Sequence, residues 1–127
     1  MDTTIYVARR IAAQAEMDDE GLIERLASIL VRTELRKGAM FLEEGQVCTQ
    51  LGYVYRGMVR QFYYKNKRDL TEHFACEDAV FICIESFLRQ QPTRLMVEVL
   101  ENTVIYGIPH DPLLALCAED YDMEVLY

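Results

Sequence analysis

HFACEDAVFICIESFLRQQPTRLMVEVL, residues His73 to Leu100, is the stretch whose reading decides the fold of this chain. It opens in an alternating segment that ends near Ala75, crosses an apolar run, and places Ser86 ahead of Phe87 and Leu88 as the cap of a short helix. The period then returns to two: Leu95, Val97 and Val99 alternate with Met96, Glu98 and Leu100. A helical turn set between two strand patterns implies a β framework that carries a short helix inside it.

The same period governs the residues on either side. Upstream, Val31, Thr33 and Leu35 alternate with Arg32, Glu34 and Arg36, and Lys37-Gly38 turns the chain into Ala39 to Leu42. Glu43-Glu44-Gly45-Gln46 is a second turn; Leu51 to Tyr55 and Met58 to Tyr64 read as strands joined through Arg56-Gly57. Lys65 to Asp69 closes a hairpin into Leu70 to Ala75, and its cluster of Lys65, Lys67 and Arg68 is read as a solvated tip that resists edge pairing. Downstream, Glu101-Asn102 turns the chain into a strand over Thr103 to Ile108.

Helical spacing brackets this strand block. Thr3 or Thr4 caps a first helix with Ile5, Ala8, Ile11, Ala12 and Ala15 on one face, and Asp18 or Asp19 caps a second with Leu22, Leu26, Ile29 and Leu30. Asp111-Pro112 opens another helix carrying Leu113, Leu114, Leu116 and Cys117, and a further start at Asp120 or Asp122 is cut off at Tyr127. The expected organisation is a single domain over 1–127, with helices to about residue 30, a β-barrel over 31–108 and helices over 110–127. Its class is mainly β: a jelly roll, or double-stranded β-helix, with flanking N- and C-terminal helices.

Composition narrows the function. Of the 127 residues 51% are hydrophobic and 27% charged, without an apolar run of membrane-spanning length or a cleavable signal pattern, which reads as a cytoplasmic protein with no membrane partner. A net charge of −8 argues against nucleic-acid binding by these residues, because phosphate contact needs a clustered basic surface. Cys48, Cys76, Cys83 and Cys117 form no C-x-x-C pair and are expected to be buried, reduced thiols, and His73 and His110 belong to no metal-ligand cluster. No cofactor is expected.

The order Lys37-Gly38, Phe41, Glu44-Gly45, Gly52-Tyr53-Val54 and Arg56-Gly57-Met58-Val59-Arg60 resembles the cyclic-nucleotide-binding domain of Crp/Fnr bacterial transcription regulators. Phe74-Ala75-Cys76-Glu77, Ser86-Phe87-Leu88 and Pro92-Thr93 are most similar to its Bacteroidetes branch. The resemblance covers about Ile23 to Tyr127. It implies that Phe81 to Leu95 corresponds to the phosphate-binding cassette, in which a helix N-terminus and an arginine hold the cyclic phosphate and a carboxylate holds the ribose hydroxyl. Laid on that pattern without gaps, Ile82 stands at the cassette glycine, Cys83 at the ribose carboxylate and Thr93 at the phosphate arginine. All three departures remove nucleotide chemistry, and isoleucine crowds an approach that glycine permits. Glu85 and Arg94 are candidate shifted substitutes, although one step along a strand turns Arg94 away from the side Thr93 faces.

The candidate pocket is therefore a degenerate cassette comprising Phe62, Tyr64, Phe74, Ile82, Cys83, Glu85, Ser86, Thr93 and Arg94, with Leu95 beside them. Cys83, just ahead of a helix N-terminus, is also a candidate thiol of lowered pKa that senses oxidants. The expected function is non-enzymatic: the sensor domain of a Crp/Fnr-like regulator that does not bind cyclic nucleotide but takes a small-molecule effector of unknown identity. The resemblance further implies homodimerisation of a full-length protein and DNA binding through a C-terminal helix-turn-helix domain that residues 1–127 do not contain. The alternatives are a free-standing jelly-roll module that binds a protein partner, and a cupin-like enzyme.

Overall fold

The computed structural model describes residues 3–119. Two helices, α1 (Thr4–Gln14) and α2 (Glu20–Ile29), precede β1 (Val31–Leu35), β2 (Met40–Leu42), β3 (Gln50–Arg56), β4 (Met58–Lys65), β5 (Arg68–Cys76) and β6 (Val80–Phe81). A short helix α3 (Ile84–Arg89) follows, then β7 (Met96–Val99), β8 (Thr103–Pro109) and α4 (His110–Glu119). The second helical start expected at Asp120 or Asp122 lies outside the described residues.

The strands form two antiparallel four-stranded sheets, in the orders β1-β8-β3-β6 and β2-β7-β4-β5. Apart from the β4–β5 hairpin, successive strands therefore swap between sheets, which is the jelly-roll connection expected from the many short strands. Val54 and Ile105 from one sheet and Val59 and Val99 from the other are fully buried, so the two inner faces make one core. Val7, Ala8, Ile11 and Ala12 of α1 and Leu22, Ile23 and Leu26 of α2 extend that core across the helices.

Backbone geometry explains two glycines. Gly57 turns β3 into β4 at φ +104°, a conformation L side chains rarely adopt, and Thr103 occupies the space a Cβ would need. Gly52 lies against the Phe81 ring, which an added methyl would overlap. The hairpin between β4 and β5 is tighter than the five polar residues at its tip suggest. Lys65 pairs with Arg68, leaving Asn66 and Lys67 as a two-residue turn, both at positive φ.

The helix starts differ partly from expectation. Asp19 caps α2 by accepting from the amides of Gly21 and Leu22. Thr3 stands at the N-cap of α1 without a side-chain cap bond, because its hydroxyl is bonded to that of Tyr106 on β8. Helix α4 begins at His110, so Asp111 lies within its first turn rather than ahead of it.

An ionic hub fastens α1 to the barrel. Asp78, at φ +73°, accepts two bonds from the Arg10 guanidinium at 3.0 and 2.6 Å and one from the Tyr53 hydroxyl at 2.7 Å. Arg10 and then Tyr53 hold its carboxyl low, at about 2 against an ordinary 3.8, so the stabilisation is complete above the ordinary value and fades as pH falls through about 2. Asp78→Asn keeps a residue that tolerates positive φ and removes the charge. It is expected to lower the melting temperature at neutral pH and to abolish the part of the acid-induced loss that falls between 3.8 and about 2, as read by thermal denaturation across that range. Separately, Gly52→Ala is expected to cost about 1–3 kcal/mol in chemical denaturation by forcing Phe81 out of place.

Candidate functional site

The residues between β6 and β7 fold around α3 and close against the loop that precedes β3. Thr93 and Gln46 are joined by an amide-to-carbonyl bond of 2.7 Å and Gly45 donates to the Thr93 carbonyl at 3.0 Å, while Val47 bridges Pro92. This short antiparallel zipper fixes both segments without their belonging to a regular sheet.

Ser86 is the main side-chain tie across it. The expectation that Ser86 caps α3 is corrected: Cys83 is the N-cap residue, and Ser86 lies two residues inside the helix and buried. Its hydroxyl accepts from the Cys48 amide at 2.8 Å and donates to the Gln91 carbonyl, so one oxygen ties the β2–β3 loop to both ends of the α3 turn. Gln90, the C-cap at φ +52°, adds bonds from its amide to the carbonyls of Cys48 at 3.0 Å and Phe87 at 2.7 Å. Phe87 is fully buried with its ring edge-on to His110, 5.1 Å between centroids, which anchors α3 to the start of α4.

Deeper in the barrel a polar cluster takes shape around Cys83. Gln61 of β4 is buried; its amide donates to the Ile82 carbonyl at 3.0 Å and to the Cys83 sulfur at 3.5 Å. Thr93 is buried too, donating to the Leu95 carbonyl at 2.9 Å and accepting from the Leu95 amide at 3.0 Å. The Cys48 thiol donates to the Gln50 carbonyl at 3.3 Å. Interaction with Cys83 draws the Cys48 thiol down, and interaction with Cys48 together with burial pushes the Cys83 thiol up.

The nine candidate residues divide. Cys83, Ser86 and Thr93 come together in the buried cluster, and Ile82 contributes its carbonyl to it. Phe62 is buried but packs under the Arg60 guanidinium, 3.8 Å from its ring centroid. Tyr64 and Phe74, expected to line the barrel interior, are instead 53% and 64% exposed on the β4–β5 hairpin. Glu85 and Arg94 are exposed, the latter turned away from the side on which Thr93 is buried. Of the thiols expected to be buried, Cys48 and Cys83 are, Cys76 is exposed and Cys117 is half-buried.

Two members of the cluster, Gln61 and Cys48, are missing from the sequence-level candidates. Gln61 had a legible signal, a polar side chain on the same strand face as the apolar Val59, whereas nothing local to Cys48 announces its neighbour 35 residues on. Cys48 also borders a cleft of about 290 Å³ together with Leu35, Met40, Phe41 and Gln50. The Gln50 side-chain oxygen is a buried acceptor with no protein partner among the described residues. A second cleft, about 440 Å³, lies on the opposite side of β3 near Tyr6, Tyr55 and Asp78. Among the described residues no group of three or more His, Cys, Asp or Glu is placed to hold a metal ion, and no helix is long and apolar enough to cross a membrane.

Residues 32–120 match the family model described as the cyclic nucleotide-binding domain. The chain belongs to that family. Solved structures agree in fold. A Ruegeria pomeroyi protein described as cyclic-nucleotide-binding superposes at TM-score 0.82 with 16% identity, over 99% of this chain and 56% of that one. The Thermus thermophilus catabolite activator protein gives 0.77 at 18% identity, over 92% and 54%. The sensor domain of the Pseudomonas aeruginosa transcriptional regulator DNR gives 0.77 at 12%, over 94% and 86%. The chain therefore spans little more than half of the first two proteins and most of the isolated sensor domain. No curated protein matches it.

Ser86→Ala tests the tie directly. Removing the hydroxyl leaves the buried Cys48 amide without its acceptor, and a cost of about 1–3 kcal/mol is expected in urea denaturation.

Proposed function

We propose that this chain is the sensor domain of a Crp/Fnr-like transcription regulator of the Bacteroidetes-like branch, one whose cassette has given up cyclic-nucleotide binding. The observation that carries the reading is the self-satisfied cluster of Cys83, Gln61 and Thr93. The two cassette positions that need a carboxylate and an arginine hold a thiol and a hydroxyl, both buried and both bonded to protein groups. A phosphate would arrive without a cationic partner and would have to break those bonds, each costly to leave unmade in a buried setting. Glu85 and Arg94 are the shifted substitutes considered, and both are exposed.

The effector is then a different small molecule or chemical signal, and the domain is regulatory rather than catalytic, in a cytoplasmic protein. DNA contact would fall to a helix-turn-helix domain outside these 127 residues, with homodimerisation through a helix that follows α4. The acidic balance of −8 supports assigning DNA contact to another segment. The cupin-like alternative gains no support from the described residues, which bring no set of metal ligands together.

Calorimetric titration with cyclic AMP and with cyclic GMP should give no saturable heat at micromolar ligand, and a one-to-one isotherm in that range would overturn the proposal. The variant carrying Cys83→Glu and Thr93→Arg together should remain silent as well. Ile82 still crowds the glycine position, and Gln61 still occupies the Ile82 carbonyl. Measurable affinity in that variant would show that the steric reading of Ile82 is wrong.

A further inference from the structure

The Gln50 Oε1 is the one buried side-chain polar atom without a hydrogen-bond partner among the described residues. Its position follows from two glycines that face each other across β3 and β8. Gly52 pairs with Gly107, so neither strand sends a side chain to the barrel interior at that level. The Phe81 ring fills the space over Gly52, and the Gln50 amide lies over Gly107, where an added Cβ would stand 1.8 Å from Oε1. An amide oxygen that gives up water without gaining a donor is costly, and here it belongs to a residue that is only half-buried. The last torsion of a glutamine side chain is broad, so the amide can turn from Gly107 towards the space beside it at little cost.

That space is the 290 Å³ cleft between β1, β2 and the start of β3. Leu35, Met40 and Phe41 give it apolar walls, and Phe41 is set edge-on to Phe81 with 5.6 Å between ring centroids. Gln50 and Thr33 bring an amide and a hydroxyl to it, and no lining residue among those described is charged. An ion placed there would lose its water without gaining a partner, which disfavours phosphates, carboxylates and ammonium groups as occupants. The volume lies at the small end of ligand sites, which start near roughly 300 Å³.

We propose that this cleft binds a small neutral molecule with a cyclic amide edge and a flat apolar body. The ligand N–H donates to Gln50 Oε1, its carbonyl accepts from Gln50 Nε2, and its body lies against Met40 and Phe41. A glutamine amide and a lactam present complementary donor–acceptor pairs, so a single side chain supplies both bonds. The role of such a ligand as effector rests on the sensor reading, and the fold gives it a route. Cys48 borders the cleft, and its amide is held by Ser86 at 2.8 Å, so an occupant lies against the residue that ties the β2–β3 loop to α3.

The orphan acceptor also separates a binding role from a structural one. Gln50→Met keeps the length of the side chain and removes an uncompensated polar group, so the folded state should be as stable as before or more so. An amide retained for stability would behave in the opposite way.

The test is titration of the isotope-labelled chain with the flat lactam carbostyril, followed by heteronuclear NMR, with N-methylcarbostyril as the probe that lacks the donor. Carbostyril should give saturable shifts at the Gln50 side-chain amide and at the Gly107 and Cys48 amides, with a submillimolar dissociation constant. N-methylcarbostyril on the natural chain, and carbostyril on Gln50→Met, should each bind at least about tenfold more weakly, the equivalent of about 1.4 kcal/mol. Gln50→Met should unfold in urea at the same midpoint or a higher one. Absence of saturable shifts up to millimolar carbostyril, equal affinity for the methylated probe, undiminished affinity in Gln50→Met, or a lowered urea midpoint in that variant would each overturn the proposal. A cyclic AMP isotherm would end the sensor reading and leave shifts at Gln50 standing, whereas a silent carbostyril titration ends the cleft proposal and leaves the nucleotide result untouched.

Discussion

Each sheet of this barrel has one face that cannot remain in water, and everything else is arranged around the stacking of those two faces. Val54 and Ile105 meet Val59 and Val99 with no surface left exposed, and burial of such side chains contributes roughly 1.5–3 kcal/mol apiece. Because all successive strands but the β4–β5 pair change sheets, neither four-stranded sheet is complete before the chain has crossed over, and the core, the turns and the connections stabilise one another. The helices then cover what the sheets leave open, and α1 is fastened at its outer side by the Arg10–Asp78–Tyr53 hub.

The same constraint shapes the cassette. An irregular segment at the side of a dry core must pair its polar groups internally. The loop before β3 and the residues after α3 do this reciprocally, through backbone bonds between Gln46 and Thr93 and through Ser86 and Gln90. Cys83, Gln61 and Thr93 complete the arrangement at the depth where the family holds its ligand. The consequence is a segment whose interior donors and acceptors bond to one another.

Much of this was legible in residue order. The period-two runs located the strands, the glycine turns separated them, and Asp19 marked the start of α2 through a cap that needs only local geometry. Thr93 is buried and Arg94 exposed, but both precede β7 in irregular chain, so strand alternation does not account for it. Tyr64 and Phe74 were misplaced by the same logic, because aromatic residues in a strand pattern suggest a core face and the hairpin instead carries them beyond the partner sheet. Ser86 has the residue type of a cap, but a buried loop amide offered its hydroxyl a stronger claim than the helix end did.

By itself the sequence determined the class of fold and the order of its elements, since these depend on side-chain type and spacing along the chain. Only the tertiary structure decided which polar groups meet. Gln61 lies 22 residues from Cys83 and Cys48 lies 35 residues from it, and no local pattern records a contact made when two sheets close.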